Sequence, residues 1–144
     1  YANYLLGEIN RYSSRFELAL EYYHTAERLY KRDDETRGQG MALRGQAQVY
    51  LDTLRPLKAV SLLQKAILLF DALEDAEIVA DLLTSTAENS LNLGDSERAE
   101  IYLAEAKKIS ADVAAESDYI RARVLLRTGR LEEGIQRNFK LKIA

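Results

Sequence analysis

An all-α fold follows from three features of this sequence. No window alternates apolar and polar residues with period two for long enough to make a strand. Apolar residues instead recur at helical spacing in every segment between charged or glycine-containing breaks. Small residues also return at a fixed interval: Ala19, Ala59 and Ala99 lie 40 apart (59−19, 99−59), and each is followed seven residues later by Ala26, Ala66 or Ala106. Eight helices in four antiparallel pairs satisfy all three.

The segment from Tyr1 to Tyr12 reads as helix, with Tyr4, Leu5 and Ile9 making an apolar face. Ser14-Arg15-Phe16-Glu17 has the form of a capping box, in which Ser14 accepts from a free backbone N–H and Glu17 reaches back. A second helix follows to about Lys31. Leu18, Ala19, Tyr22, Tyr23, Ala26, Leu29 and Tyr30 supply its apolar side. The charged run KRDDE interrupts the pattern, and Asp33 or Asp34 is placed to cap the next helix.

That third helix runs to about Thr53 through Met41, Leu43, Ala47, Tyr50 and Leu51. Gly38, Gly40 and Gly45 weaken its first half by roughly 1 kcal/mol each relative to alanine. Close packing of helix backbones explains them best. Close approach of a ligand is the other reading, whereas a phosphate loop lacks its Gly-Lys-Ser/Thr and its preceding strand. Pro56 stands at a helix start, where its missing N–H costs nothing. Leu57 to Phe70 is apolar on almost every side and is expected to be sandwiched between neighbours.

Asp75 can cap a helix from Ala76 to Leu93, which Gly94 ends. Ser96 to Ser110 is helical with Ala99, Tyr102, Leu103, Ala106 and Ile109 inward. Ala114 to Thr128 is helical up to Gly129, and Leu131 to about Leu141 begins an eighth helix. The four units fall at 1–32, 33–73, 74–111 and 112–144, the last incomplete. The pattern is already running at Tyr1 and still amphipathic in NFKLKIA, so the chain reads as a piece of a longer array.

Composition narrows the function classes. Twenty basic and 23 acidic residues are interspersed for a net charge of −3, with no basic stripe to neutralise phosphates, so no direct nucleic-acid contact is expected. No run approaches the ~18 apolar residues of a membrane span, and no signal segment opens the chain. The absence of Cys removes disulfides, thiolate metal sites and Cys nucleophiles, and it fits a reducing, cytoplasmic setting. The lone His24 forbids a His pair for metal, and it reads as a surface or packing residue. Asp33-Asp34 and Glu132-Glu133 read as caps and solvated charge rather than as a positioned acid/base pair. No catalytic residue, cofactor or metal site is therefore expected. Tyr22, Tyr23 and Tyr30 cluster on one helix and read as packing groups with hydroxyls at the rim; an aromatic ligand box is the other reading.

In the first helices of the pairs the small residue is Gly7, Ala47, Ala87 and Ala122. With Ala19…Tyr23…Ala26, Ala59…Leu63…Ala66 and Ala99…Leu103…Ala106, and with Leu93-Gly94-Asp95 at a hairpin turn, the chain resembles the tetratricopeptide repeat family. The resemblance covers essentially the whole chain. The period of 40 exceeds the family's common 34, Leu43 or Leu83 stands where Trp is usual, Leu54-Arg55 replaces the turn Gly-Asp, and Gly134 stands where Ala is expected. Such long-period arrays resemble those of bacterial regulators related to the maltose-regulon activator and those of animal cell-polarity adaptors.

The resemblance implies a right-handed superhelix with a concave face lined by the first helix of each pair. Its groove positions fall on Tyr4, Glu8, Arg11 and Tyr12; on Arg44, Gln48 and Leu51; on Thr84 and Glu88; and on Tyr119 and Arg123. Tyr1, Asp52, Asp81, Ser85, Leu91, Leu126 and Arg127 fall on the same projection. Tyr4 and Glu8 occupy two positions where the chaperone-tail subset carries Lys and Asn, so no carboxylate clamp is expected. The resemblance thus implies a non-catalytic module that binds a partner helix or peptide, with self-association through the array ends also open. The alternative is the ligand-sensing or oligomerisation segment of a bacterial transcription regulator whose ATPase and DNA-binding domains lie elsewhere.

Overall fold

The structure, a computed structural model, describes residues 1–110, 114–127 and 129. Seven α-helices follow one another among the described residues: α1 Ala2–Tyr12, α2 Phe16–Arg32, α3 Thr36–Asp52, α4 Pro56–Ala72, α5 Ala76–Asn92, α6 Ser96–Ile109 and α7 Ala114–Arg127. No strand occurs among them. Each helix packs on the one before and the one after, so the architecture is all-α and built from successive hairpins. The expected eighth helix, Leu131 to Leu141, and Gly134 lie outside the described residues.

The turns explain the regularity. Ser14, Asp34, Leu54, Glu74 and Gly94 all adopt left-handed backbone, with φ of 58°, 57°, 58°, 56° and 84°. They are spaced by 20 residues, so the true backbone period is half of the small-residue period. In each turn the N–H of the following residue (Arg15, Glu35, Arg55, Asp75, Asp95) donates to the carbonyl five residues back, at 2.7–3.1 Å. This is the Schellman closure, and it satisfies otherwise orphaned helix carbonyls through backbone alone.

The same closure corrects two capping expectations. Ser14 is the left-handed turn residue rather than an N-cap; α2 starts one residue after Arg15 and has no side-chain cap. Neither Asp33 nor Asp34 caps α3. Asp33 closes α2 and its carboxylate accepts from Arg32, Asp34 takes the left-handed position, and Glu35 precedes the helix. Asp75 does cap α5, accepting from the Ile78 N–H at 3.3 Å, and Asp95 caps α6 through the Arg98 N–H at 3.0 Å. Pro56 occupies the first turn of α4.

Left-handed backbone costs an L-residue ~1–2 kcal/mol, most of which glycine avoids. Leu54 is 89% exposed, so its side chain contributes no burial to offset that cost. Leu54→Gly should therefore raise the unfolding free energy by about 1 kcal/mol. In urea titrations the midpoint should rise at constant slope; an unchanged midpoint would show that the turn is unstrained.

Small residues sit where the sequence needs them. Ala19, Ala47, Ala59, Ala66, Ala87, Ala99 and Ala106 have no exposed surface. The glycines of α1 and α3 make room for aromatic rings rather than for other backbones. A Cβ on Gly7 would come to 2.6 Å from Tyr23 Cε1, and one on Gly45 would strike the same ring from α3. Gly40 faces Phe70, with 2.7 Å from a would-be Cβ to Cε2, and Gly38 faces Tyr30. One buried cluster joins Ala19, Tyr23 and Val49; a larger one runs from Leu43 through Leu63 and Phe70 to Leu83; a third joins Ala87, Leu103, Ile120 and Val124. Helix α4 is not enclosed on all sides as its composition suggests. It buries Ala59, Val60, Leu63, Ala66 and Phe70 and leaves Leu57 and Leu68 in water.

Candidate functional site

The odd-numbered helices neighbour one another, and a series of ion pairs joins them. Arg11 on α1 donates to Asp52 on α3 at 3.0 Å, and Gln48 reaches the same carboxylate at 3.2 Å. Arg44 on α3 pairs with Asp81 on α5 at 2.5 Å. Arg123 on α7 donates to Glu88 at 3.1 Å and to Asn92 at 3.2 Å on α5, and Arg127 donates to the Leu91 carbonyl. Arg37 at the start of α3 meets Asp75 at 2.7 Å. On the even-numbered helices, Gln64 of α4 donates to the Tyr102 hydroxyl of α6 at 2.8 Å.

This arrangement brings most of the sequence-selected residues to the odd-helix face. Glu8, Arg11, Arg44, Gln48, Glu88 and Arg123 are half-buried and take part in the pairings. Leu51 packs against the central cluster, and Tyr4 lies 5.9 Å from the Tyr23 ring, centroid to centroid. Tyr12 and Tyr119 are exposed, with Arg11 stacked 4.3 Å from the Tyr12 centroid and Arg123 5.9 Å from that of Tyr119. Thr84 is different. It is buried, and its hydroxyl donates to the Ala80 carbonyl at 2.9 Å, so it supports the face from beneath and presents no group to it.

Sequence reasoning missed that these charges satisfy one another. Four pairs join residues about one repeat apart, at separations of 41 (52−11), 38 (75−37), 37 (81−44) and 35 (123−88). That spacing is the signal that could have found them. Solvent-accessible, half-buried pairs of this kind contribute only ~0–1 kcal/mol each, so their main effect is to neutralise the face and fix the register of neighbouring units. Gln46, which the sequence did not single out, is buried on α3 and donates to Glu27 of α2 at 2.8 Å.

At the α1 end the pairing goes deeper. The Tyr23 hydroxyl, buried under Gly7 and Gly45, donates to the Glu8 carboxylate, and Glu8 lies 3.7 Å from Arg11. The Tyr23 hydroxyl is therefore no rim group. Burial, then the bond to Glu8, push its pKa well above the usual 10.0. Tyr4 and Tyr30 move the same way, burial being the first cause in both.

The sign is that of a group whose folded pKa is raised. Its contribution to stability is complete below the unfolded value near pH 10 and is lost above it, where the unfolded chain alone gives up the proton. Thermal melts should therefore show the transition falling as pH rises beyond ~10, and Tyr23→Phe should fall less steeply. Identical slopes for the two proteins would place the titrating group elsewhere.

A cleft of about 670 Å³ lies away from this face, lined by Phe16, Leu20, Val49, Tyr50, Thr53 and neighbours near the starts of α2 and α4; none of its lining residues is among the sequence-selected ones. Among the described residues no group of three or more His, Cys, Asp or Glu is placed to hold a metal ion, and no helix is long and apolar enough to cross a membrane. His24 is exposed on α2. No family model matches the sequence, and no curated protein matches it significantly.

Proposed function

We propose that this chain is a non-catalytic protein-interaction module of tetratricopeptide type, whose odd-helix face takes up a partner helix or extended peptide. The observation that carries the reading is the convergence of Tyr4, Arg11, Tyr12, Arg44, Gln48, Leu51, Glu88, Tyr119 and Arg123 from four different helices on one side of the hairpin stack. Four repeats, 1–32, 33–73, 74–111 and 112–144, stacked as a right-handed superhelix, would make that side concave.

The charges on this face are already paired, so a partner gains little by adding a countercharge. Recognition would rest on Tyr12 and Tyr119, which are rigid and amphipathic, on Leu51, and on hydrogen bonds to the amides of Gln48 and Asn92. Binding should accordingly vary little with salt.

The test is to select helical and extended peptides from a displayed random library on the intact chain, and then to measure affinity for variants. Tyr119→Ala and Leu51→Ala should each weaken the selected peptides about tenfold or more. Leu68→Glu, on the exposed side of α4, should leave affinity unchanged. Peptides that respond to Leu68→Glu and ignore both odd-face substitutions would defeat the reading.

A further inference from the structure

The 670 Å³ cleft lies between the first two units, and both of its walls belong to described helices. Phe16 and Leu20 of α2 form one wall; Val49 and Tyr50 of α3 form the other. Val49 is buried, whereas Phe16, Leu20 and Tyr50 keep part of their surface open. An apolar hollow of this size, with a few polar groups at its rim, has the make-up of a small-molecule site.

The repeat serves as an internal control. Forty residues on, the same four positions carry Pro56, Val60, Asn89 and Ser90, with no aromatic ring among them. Asn89 and Ser90 are buried and bond to carbonyls of their own helix, at 2.7 and 2.9 Å. The aromatic walls therefore belong to this unit and are not a by-product of stacking hairpins.

The charges around the cleft are also particular to it. Of the five residues whose N–H closes a turn, Arg15, Glu35, Arg55, Asp75 and Asp95, only the two that line the cleft are basic. Asp75 and Asp95 use their carboxylates to cap the helices that follow. Arg15 and Arg55 form no ion pair with any described residue, unlike Arg11, Arg44 and Arg123 on the odd-helix face. Lys58 adds positive charge on the α4 side, 5.4 Å from the Tyr50 ring centroid. Glu17 and Glu21 stand one turn apart on the α2 wall and pair with neither arginine. Two guanidiniums at the turn end can hold one anionic group, and two carboxylates along the wall repel a second.

We infer that this cleft binds a small aromatic carboxylate, its ring set between Phe16 and Tyr50 and its carboxylate held by Arg15 and Arg55. Two aromatic walls favour a planar body over a flexible chain. Guanidinium and carboxylate match in geometry as well as in charge. The cleft shares no residue with the odd-helix groove, so the two sites stand or fall separately.

Titration of the 144-residue chain with naphthoate, indoleacetate and phenylpropanoate, followed by amide NMR shifts, tests it. At least one acid should bind saturably, with shifts centred on residues 14–21 and 49–55. It should bind about tenfold or more tightly than its own amide, the worth of one charge-assisted hydrogen bond. That preference should shrink in Arg15→Gln and in Arg55→Gln and vanish in the double variant. It should persist in Arg28→Gln, which alters an exposed arginine elsewhere on α2. Affinity should fall as salt rises, in contrast to peptide binding on the odd-helix face. Tyr119→Ala should leave it unchanged.

Absence of saturable shifts with all three acids overturns the inference, as do shifts centred outside the cleft or a loss of affinity in Tyr119→Ala. Equal affinity for acid and amide, or indifference to both arginine substitutions, overturns the anionic ligand. Decanoate bound as tightly as the aromatic acids would remove the role of the rings, and with it the chemical class.

Discussion

Replacing Tyr23 by alanine should lower the unfolding free energy by about 3–5 kcal/mol, as removal of a large buried aromatic side chain does when neighbours cannot collapse into the space. The neighbours here are ill suited to collapse. Tyr23 has no exposed surface, and its ring is held between Gly7 of α1 and Gly45 of α3, two positions with no side chain to fill a void. The same ring tilts against Tyr4 at 5.9 Å and packs with Ala19 and Val49. Its hydroxyl donates to Glu8, so the truncation also strips a partner from a half-buried carboxylate. Tyr23→Phe isolates that last part and should cost roughly 1.5–3 kcal/mol, the range for a hydrogen bond to a charged group.

Urea denaturation followed by far-UV circular dichroism gives the totals. Amide exchange gives their location, since in a stack of nearest-neighbour units α1 and the start of α3 should lose protection well before α5 and α6. A loss for Tyr23→Ala no larger than that for Tyr23→Phe would show that the ring is not the wedge between these helices.

The contrast between Tyr23 and the turns shows what is legible in such a chain. Helical periodicity, Pro56, Gly94, and the alanines at 19, 59 and 99 are compositional, and each marks the element that the structure shows. The turns are not compositional. Ser, Asp, Leu, Glu and Gly fill the same left-handed position at 14, 34, 54, 74 and 94, because backbone bonds from the next N–H close every turn whatever the side chain. Side-chain composition therefore points to a capping box at Ser14 and an aspartate cap at 33 or 34, and the backbone closure displaces both.

The glycines carry a related lesson. Their spacing shows that something approaches closely, but only the fold shows that the visitors are Tyr23, Tyr30 and Phe70. On the odd-helix face, the groove positions implied by the repeat resemblance selected Arg11, Arg44 and Arg123. Their pairing with Asp52, Asp81 and Glu88 depends on register between units, which helical periodicity within one unit does not encode.

Phe70→Ala is the second large effect, at about 3–5 kcal/mol, and it carries a reversal that tests the packing more sharply than the loss itself. Phe70 is fully buried at the end of α4, its ring against Gly40 of α3, in the cluster that joins Leu43, Leu63, Leu83 and Ala106. In the native chain Gly40→Ala should destabilise. The new methyl would stand 2.7 Å from Phe70 Cε2, and that overlap outweighs the ~1 kcal/mol that alanine gains over glycine inside a helix. With Phe70 already reduced to alanine the obstruction is gone, the methyl occupies part of the void, and the same Gly40→Ala should stabilise by about 1 kcal/mol or more. A double-mutant cycle in urea reads the change of sign directly as a coupling energy. Equal effects of Gly40→Ala in the two backgrounds would show that Gly40 and the ring do not touch, and that the glycine of α3 serves the helix backbone rather than its neighbour. The expected coupling would instead establish that α3 and α4 are held in register by an aromatic ring seated on bare backbone, as α1, α2 and α3 are by Tyr23.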